Sequence, residues 1–149
     1  METFRYNSRN NKLEPGKRYN FILHKLVTLE DDNTYMVLED PFSVRHFVEF
    51  KPYQFYNLPL NGQINCLVEK INCAGRVFLE PNHPVYKIGE VYDFPIISVK
   101  PAPEGFLTVL KDALGNSFEY LTLEPLKGNY LKAMVLRITK GLPEIEVYN

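Results

Sequence analysis

Apolar and polar positions alternate in short runs along this chain, and each run is cut by a turn. From a Glu14-Pro15-Gly16 turn the first run, rich in β-branched and aromatic residues, predicts a strand from Arg18 to Leu29. The acidic tip Glu30-Asp31-Asp32-Asn33 turns it into a second strand, Thr34 to Leu38. Glu39-Asp40-Pro41-Phe42-Ser43 leads to a third, Val44 to Phe50. Lys51 to Leu60 is irregular, and Pro52 and Pro59 leave room for no more than one helical turn. A fourth strand, Gln63 to Ile71, and a fifth, Arg76 to Glu80, meet at the tight turn Asn72-Cys73-Ala74-Gly75.

The pattern then repeats. Gly16-Lys17-Arg18-Tyr19-Asn20-Phe21 returns as Gly89-Glu90-Val91-Tyr92-Asp93-Phe94, and Val37-Leu38-Glu39-Asp40 as Val109-Leu110-Lys111-Asp112. Leu60-Asn61-Gly62 returns as Leu126-Lys127-Gly128, again ahead of an alternating run. The period exceeds that of solenoid repeats, about 20–50 residues, and predicts two tandem small domains. Strands are expected over Glu90 to Val99, Gly105 to Leu110, Ser117 to Leu121, Asn129 to Ile138 and Glu144 to Tyr148. We divide the chain into an arm (1–12), a first domain (13–85) and a shorter second domain (86–149). Five short strands with a gap before the fourth fit an OB-like Greek-key barrel, and the count also permits an SH3-like barrel. The expected fold class is all-β, with two tandem five-stranded OB-like barrels.

Charge limits what such barrels can hold. The formal net charge is −1, distributed as +2 over residues 1–12, −2 over 13–86 and −1 over 87–149. A tight phosphate-backbone binder is clearly basic, so any nucleic-acid affinity should be modest and salt-dependent. Cys66 and Cys73 are expected to be reduced thiols of a cytoplasmic protein. No apolar run approaches the roughly 18 residues of a membrane span, so no membrane partner is expected.

The segment Val44 to Leu79 decides between the barrels. Phe47-Val48 closes the third strand, Gly62-Gln63-Ile64 opens the fourth, Ile71-Asn72 ends it, and Gly75-Arg76-Val77-Phe78-Leu79 forms the fifth. In that order these motifs resemble the second half of the S-one RNA-binding domain, named for the largest protein of the small ribosomal subunit. The resemblance implies an OB barrel that binds single-stranded RNA. Departures are specific. Glu49 stands where the family has a histidine after Phe-Val, Asn72 replaces an aspartate, and His46 replaces a glycine. The second domain's Glu144-Ile145-Glu146 has lost the closing-strand arginine.

An OB barrel holds a strand by stacking bases on outward aromatics while Arg or Lys tracks the phosphates. With Met36 and Leu38 inward, alternation places Tyr35 and Val37 outward. The central nucleic-acid-binding candidates that the resemblance implies are Tyr35, which matches the family's aromatic on the second strand, Phe47 and Arg76. Arg45, His46 and Lys70 are candidates for a weakly basic rim, and Asn72 joins the set through the resemblance. Arg5, Tyr6 and Arg9 of the arm are expected to assist. Tyr53, Phe55 and Tyr56 either wall a groove for a partner or cap the barrel's open end.

Catalytic and metal chemistry find no support. Cys66, Cys73 and His83 lack the paired spacing of a zinc site. His24, His46 and His83 lie far apart without a nearby nucleophile, and no phosphate-cradling glycine loop is present. We expect no enzyme activity and no cofactor. The leading expectation is weak binding of single-stranded RNA or DNA, favoured by motif order. Its rival is a protein-interaction scaffold, favoured by charge.

Overall fold

The computed structural model describes residues 12–148, so the expected roles of Arg5, Tyr6 and Arg9 lie outside the described residues. The chain divides into two compact units, Met1–Asn82 and His83–Asn149. In the first, strands β1 (Arg18–Thr28), β2 (Thr34–Glu39), β3 (Arg45–Glu49), β4 (Gln63–Ile71) and β5 (Val77–Pro81) form one antiparallel sheet in the order β3-β2-β1-β4-β5. β3 also approaches β5, so the sheet nearly closes into a barrel. A single 3-10 turn, Lys51–Tyr53, lies between β3 and β4. The second unit repeats the plan with β6 (Val91–Ala102), β7 (Gly105–Lys111), β8 (Ser117–Thr122), β9 (Tyr130–Thr139) and β10 (Leu142–Val147), in the order β10-β9-β6-β7-β8. The protein is all-β, with two tandem five-stranded OB-like units.

The long first strand of each unit serves two partners. β1 pairs with β4 through Ile22 and with β2 from Ile22 onward, and a bulge between Leu23 and Lys25 bends it there. β6 carries the matching bulge between Ile96 and Ser98. The repeat extends to individual hydrogen bonds. Gly16 N donates to Val68 O and Gly89 N to Val135 O. The Tyr19 hydroxyl accepts from Glu14 N, and the Tyr92 hydroxyl accepts from Lys87 N.

Inward positions follow the alternation. Phe21 and Phe94, paired across the repeat, are both fully buried, and burying a phenyl ring contributes about 1.5–3 kcal/mol. Cys66 faces Tyr19 and Ala133 faces Tyr92 at equivalent, fully buried positions. Burial pushes the Cys66 thiol well above its usual pKa, so it behaves as a small core hydrophobe.

The turns after β2 and β7 are built alike around a buried carboxylate. Asp40 Oδ1 accepts from Phe42 N (2.8 Å) and Val44 N (3.0 Å), and Asp112 Oδ1 accepts from Leu114 N (2.9 Å) and Asn116 N (2.8 Å). The second oxygen is treated differently. Asp40 Oδ2 meets His46 Nε2 at 2.9 Å, whereas Asp112 Oδ2 meets the Asn116 side-chain amide at 3.2 Å. His46 and Phe118 occupy the same register position, opposite Leu38 and Leu110.

Candidate nucleic-acid interface

Outward side chains of β2 and β3 make an aromatic surface on the first unit. Val37 pairs with Phe47 and Tyr35 with Glu49, which puts the Tyr35 and Phe47 rings on one face as diagonal neighbours. Their centroids lie 6.3 Å apart and their planes are inclined by 33°. Both residues are half-buried. Val37, expected outward beside them, is fully covered.

The preceding loop fixes Tyr35. Its hydroxyl donates to Asp31 Oδ2 at 2.7 Å, and Asp31 Oδ1 accepts from Asn33 N at 2.9 Å. The tyrosine hydrogen bond holds the Asp31 carboxyl below its usual pKa, and Asp31 raises that of the phenol. The ring is thus anchored at its polar end.

A second cluster sits on the β4–β5 hairpin. Asn72 Oδ1 accepts from Ala74 N (3.0 Å) and Arg76 N (2.8 Å), so this side chain shapes the turn from within. Gly75 completes the turn at φ 83°. The tight reversal sets Lys70 opposite Phe78. The Lys70 ammonium and the Arg76 guanidinium lie 4.8 Å and 5.0 Å from the Phe78 ring centroid. Each contact contributes about 0.5–1 kcal/mol where exposed.

The structure therefore brings Tyr35 and Phe47 together on β2–β3, and Arg76 and Lys70 together around Phe78. It gives the other candidates different work. His46 corrects the expected basic rim: it is a buried side chain against Asp40, because its position on β3 faces the core beside Phe21. Arg45 Nε lies 3.7 Å from Glu39 Oε1, which draws its charge toward a carboxylate. Asn72 is a turn builder. Phe78 was missed by motif reading, although alternation from buried Val77 and Leu79 marks it as outward.

The aromatic connector splits in two. Tyr53 and Tyr56 are buried in edge-to-face contact, and the Tyr53 hydroxyl donates to buried Glu80 Oε1 at 2.9 Å. Burial, followed by the Glu80 charge, pushes the Tyr53 hydroxyl far above its usual pKa. Only Phe55 of the three turns outward, 54% exposed. A groove of about 470 Å³ does form beside this connector, walled by Leu23, Leu26, Phe50 and Leu60, but none of the three aromatics lines it.

The second unit has lost both clusters. By register, Leu107 and Glu119 stand where Tyr35 and Phe47 stand in the first unit. Arg137 and Glu144 replace Lys70 and Phe78 and form an ion pair at 2.5 Å, which neutralises the charge that Lys70 leaves available. Among the described residues no group of three His, Cys, Asp or Glu could hold a metal ion, and no helix is long and apolar enough to cross a membrane. No family model, curated protein or solved structure matches this chain.

Proposed function

We propose that the first unit is a single-stranded nucleic-acid-binding module of the S-one type, acting without catalysis, and that RNA is its ligand. The observation that carries this reading is the Tyr35–Phe47 pair on the outer face of β2–β3. That face and its flanking loops are where OB barrels bind oligonucleotides. Bases stack on the rings, and Lys70 of β4 and Arg76 of the β4–β5 turn accompany the phosphates. The free thiols of Cys66 and Cys73 suit a cytoplasmic setting.

Fluorescence anisotropy of a labelled octauridylate at several salt concentrations tests this. Two phosphate contacts give a log–log salt slope of about −1.4. Tyr35→Ala should weaken binding by about 1–3 kcal/mol, and Arg76→Ala should flatten the slope by about 0.7. No binding at low salt, or binding indifferent to both substitutions, overturns the reading.

A protein-docking role is the second reading, favoured by one observation. Asp31, Glu39 and Glu49 surround the aromatic pair, and carboxylates repel a polyanion while accepting a basic peptide. Absence of RNA binding at low salt moves the assignment there.

A further inference from the structure

The carboxylates around the aromatic pair are not equivalent. Asp31 is occupied by the Tyr35 hydroxyl and Asn33 N, and Glu39 lies against His24 (3.3 Å) and Arg45 (3.7 Å). Glu49 is exposed and makes no hydrogen bond or ion pair among the described residues. It stands directly across the ladder from Tyr35, at a cross-strand Cβ spacing of about 4.5–5.5 Å. Its charge reaches the phenol, whose pKa it helps to raise. An unengaged carboxylate at the margin of a base-stacking surface is costly beside phosphates unless it meets a donor on the base itself.

We propose that Glu49 reads guanine, making this face selective for guanosine-containing single strands. The inference rests on the nucleic-acid reading above and deepens it. An ionised carboxylate only accepts hydrogen bonds and can take two in parallel. Of the four RNA bases, guanine alone offers two adjacent donors on its pairing edge, N1–H and the N2 amino group. Adenine and cytosine offer one amino donor next to a ring acceptor, which would face the second carboxylate oxygen unfavourably. Uracil offers a single N–H between two carbonyls. A guanine stacked on Tyr35 with its pairing edge toward Glu49 satisfies both oxygens with charge-assisted bonds. Unpaired bases in flexible strands are open to this kind of pairing-edge recognition. The second unit has Leu121 at the equivalent position, opposite Leu107, and cannot make the contact.

The test uses the full chain and four labelled octamers, all-uridine except for one central guanosine, inosine, adenosine or uridine. A bidentate contact should favour the guanosine strand by about tenfold or more. Inosine, which keeps N1–H and lacks the amino group, should fall between. Glu49→Gln should bring the guanosine strand to the uridine level. Equal binding of all four strands, or a guanosine preference that survives Glu49→Gln, overturns the inference while leaving the nucleic-acid reading standing. No binding of any strand removes that reading and this inference with it.

Discussion

The two buried aspartates offer a cycle that measures how closely the units share one design. Each carboxylate has the same two backbone donors, but its second oxygen is satisfied by His46 in the first unit and by Asn116 in the second. The positions exchange chemistry in concert: His46 and Val44 in one unit stand where Phe118 and Asn116 stand in the other. His46→Phe alone leaves Asp40 Oδ2 short of a partner in a site 5% exposed, and losing a hydrogen bond to a buried charge costs about 1.5–3 kcal/mol. Val44→Asn alone trades a half-buried β-branched residue for a poor strand former, about 0.5–1 kcal/mol. Together they recreate the second unit's arrangement, with the new amide reaching Asp40 Oδ2. The double variant should then lie within about 1 kcal/mol of the parent, keeping only the strand-propensity cost, a coupling of about 1.5–3 kcal/mol against simple addition. Native-state hydrogen exchange at the amides of Met36 and Leu38 reads the first unit's stability directly, and the amide of Leu110 serves as the internal control. Additive costs would refute the reasoning, because they would mean that the amide introduced by Val44→Asn does not take the place of His46 at Asp40 Oδ2.

Three further outcomes follow from buried groups. The Thr108 hydroxyl is fully buried without a hydrogen-bond partner, so Thr108→Val should stabilise the second unit by about 1 kcal/mol; a loss of stability in thermal unfolding would contradict this. His83 Nδ1 accepts from Val85 N and Tyr86 N, both at 3.0 Å, and burial lowers its pKa below 6.5 against a smaller opposing pull from Asp112. The unfolded chain therefore binds the proton more readily, and this stability is complete above pH 6.5 and lost as pH falls through the folded pKa; NMR titration placing His83 above 6.5 would reverse the sign. Cys73 is exposed and Cys66 buried, so a thiol reagent should modify one cysteine in the native protein and both in denaturant, and rapid native reaction of both would show that the first barrel opens.

Much of the fold was legible in the chain because alternation and turn residues act locally. The internal echo of Gly16–Phe21 in Gly89–Phe94 proved to be a repeat of strand, bulge and cap. Proline blurred two boundaries. β6 continues through Pro101, which pairs with Phe106 beside the hairpin end, and β10 starts at Leu142 because Pro143 is tolerated on an edge strand. In the candidate site, alternation placed Tyr35 outward and the resemblance supplied Phe47; alternation beside an outward Phe47 also turns His46 inward, but it does not point it at Asp40. A histidine's partner is set by three-dimensional register, and nothing in the spacing of residues 40 and 46 declares it. The loss of both clusters from the second unit was likewise only half visible. The missing arginine could be read from Glu144-Ile145-Glu146, but the Arg137–Glu144 pairing depends on the β9–β10 register.

The most direct measurement is a two-dimensional amide NMR titration of the intact protein with a short single-stranded RNA. The account predicts shifts at Tyr35, Phe47, Glu49, Lys70, Arg76 and Phe78, with Leu107, Glu119, Arg137 and Glu144 of the second unit unmoved. Shifts at the second-unit positions instead, or none at the first-unit face, would contradict it.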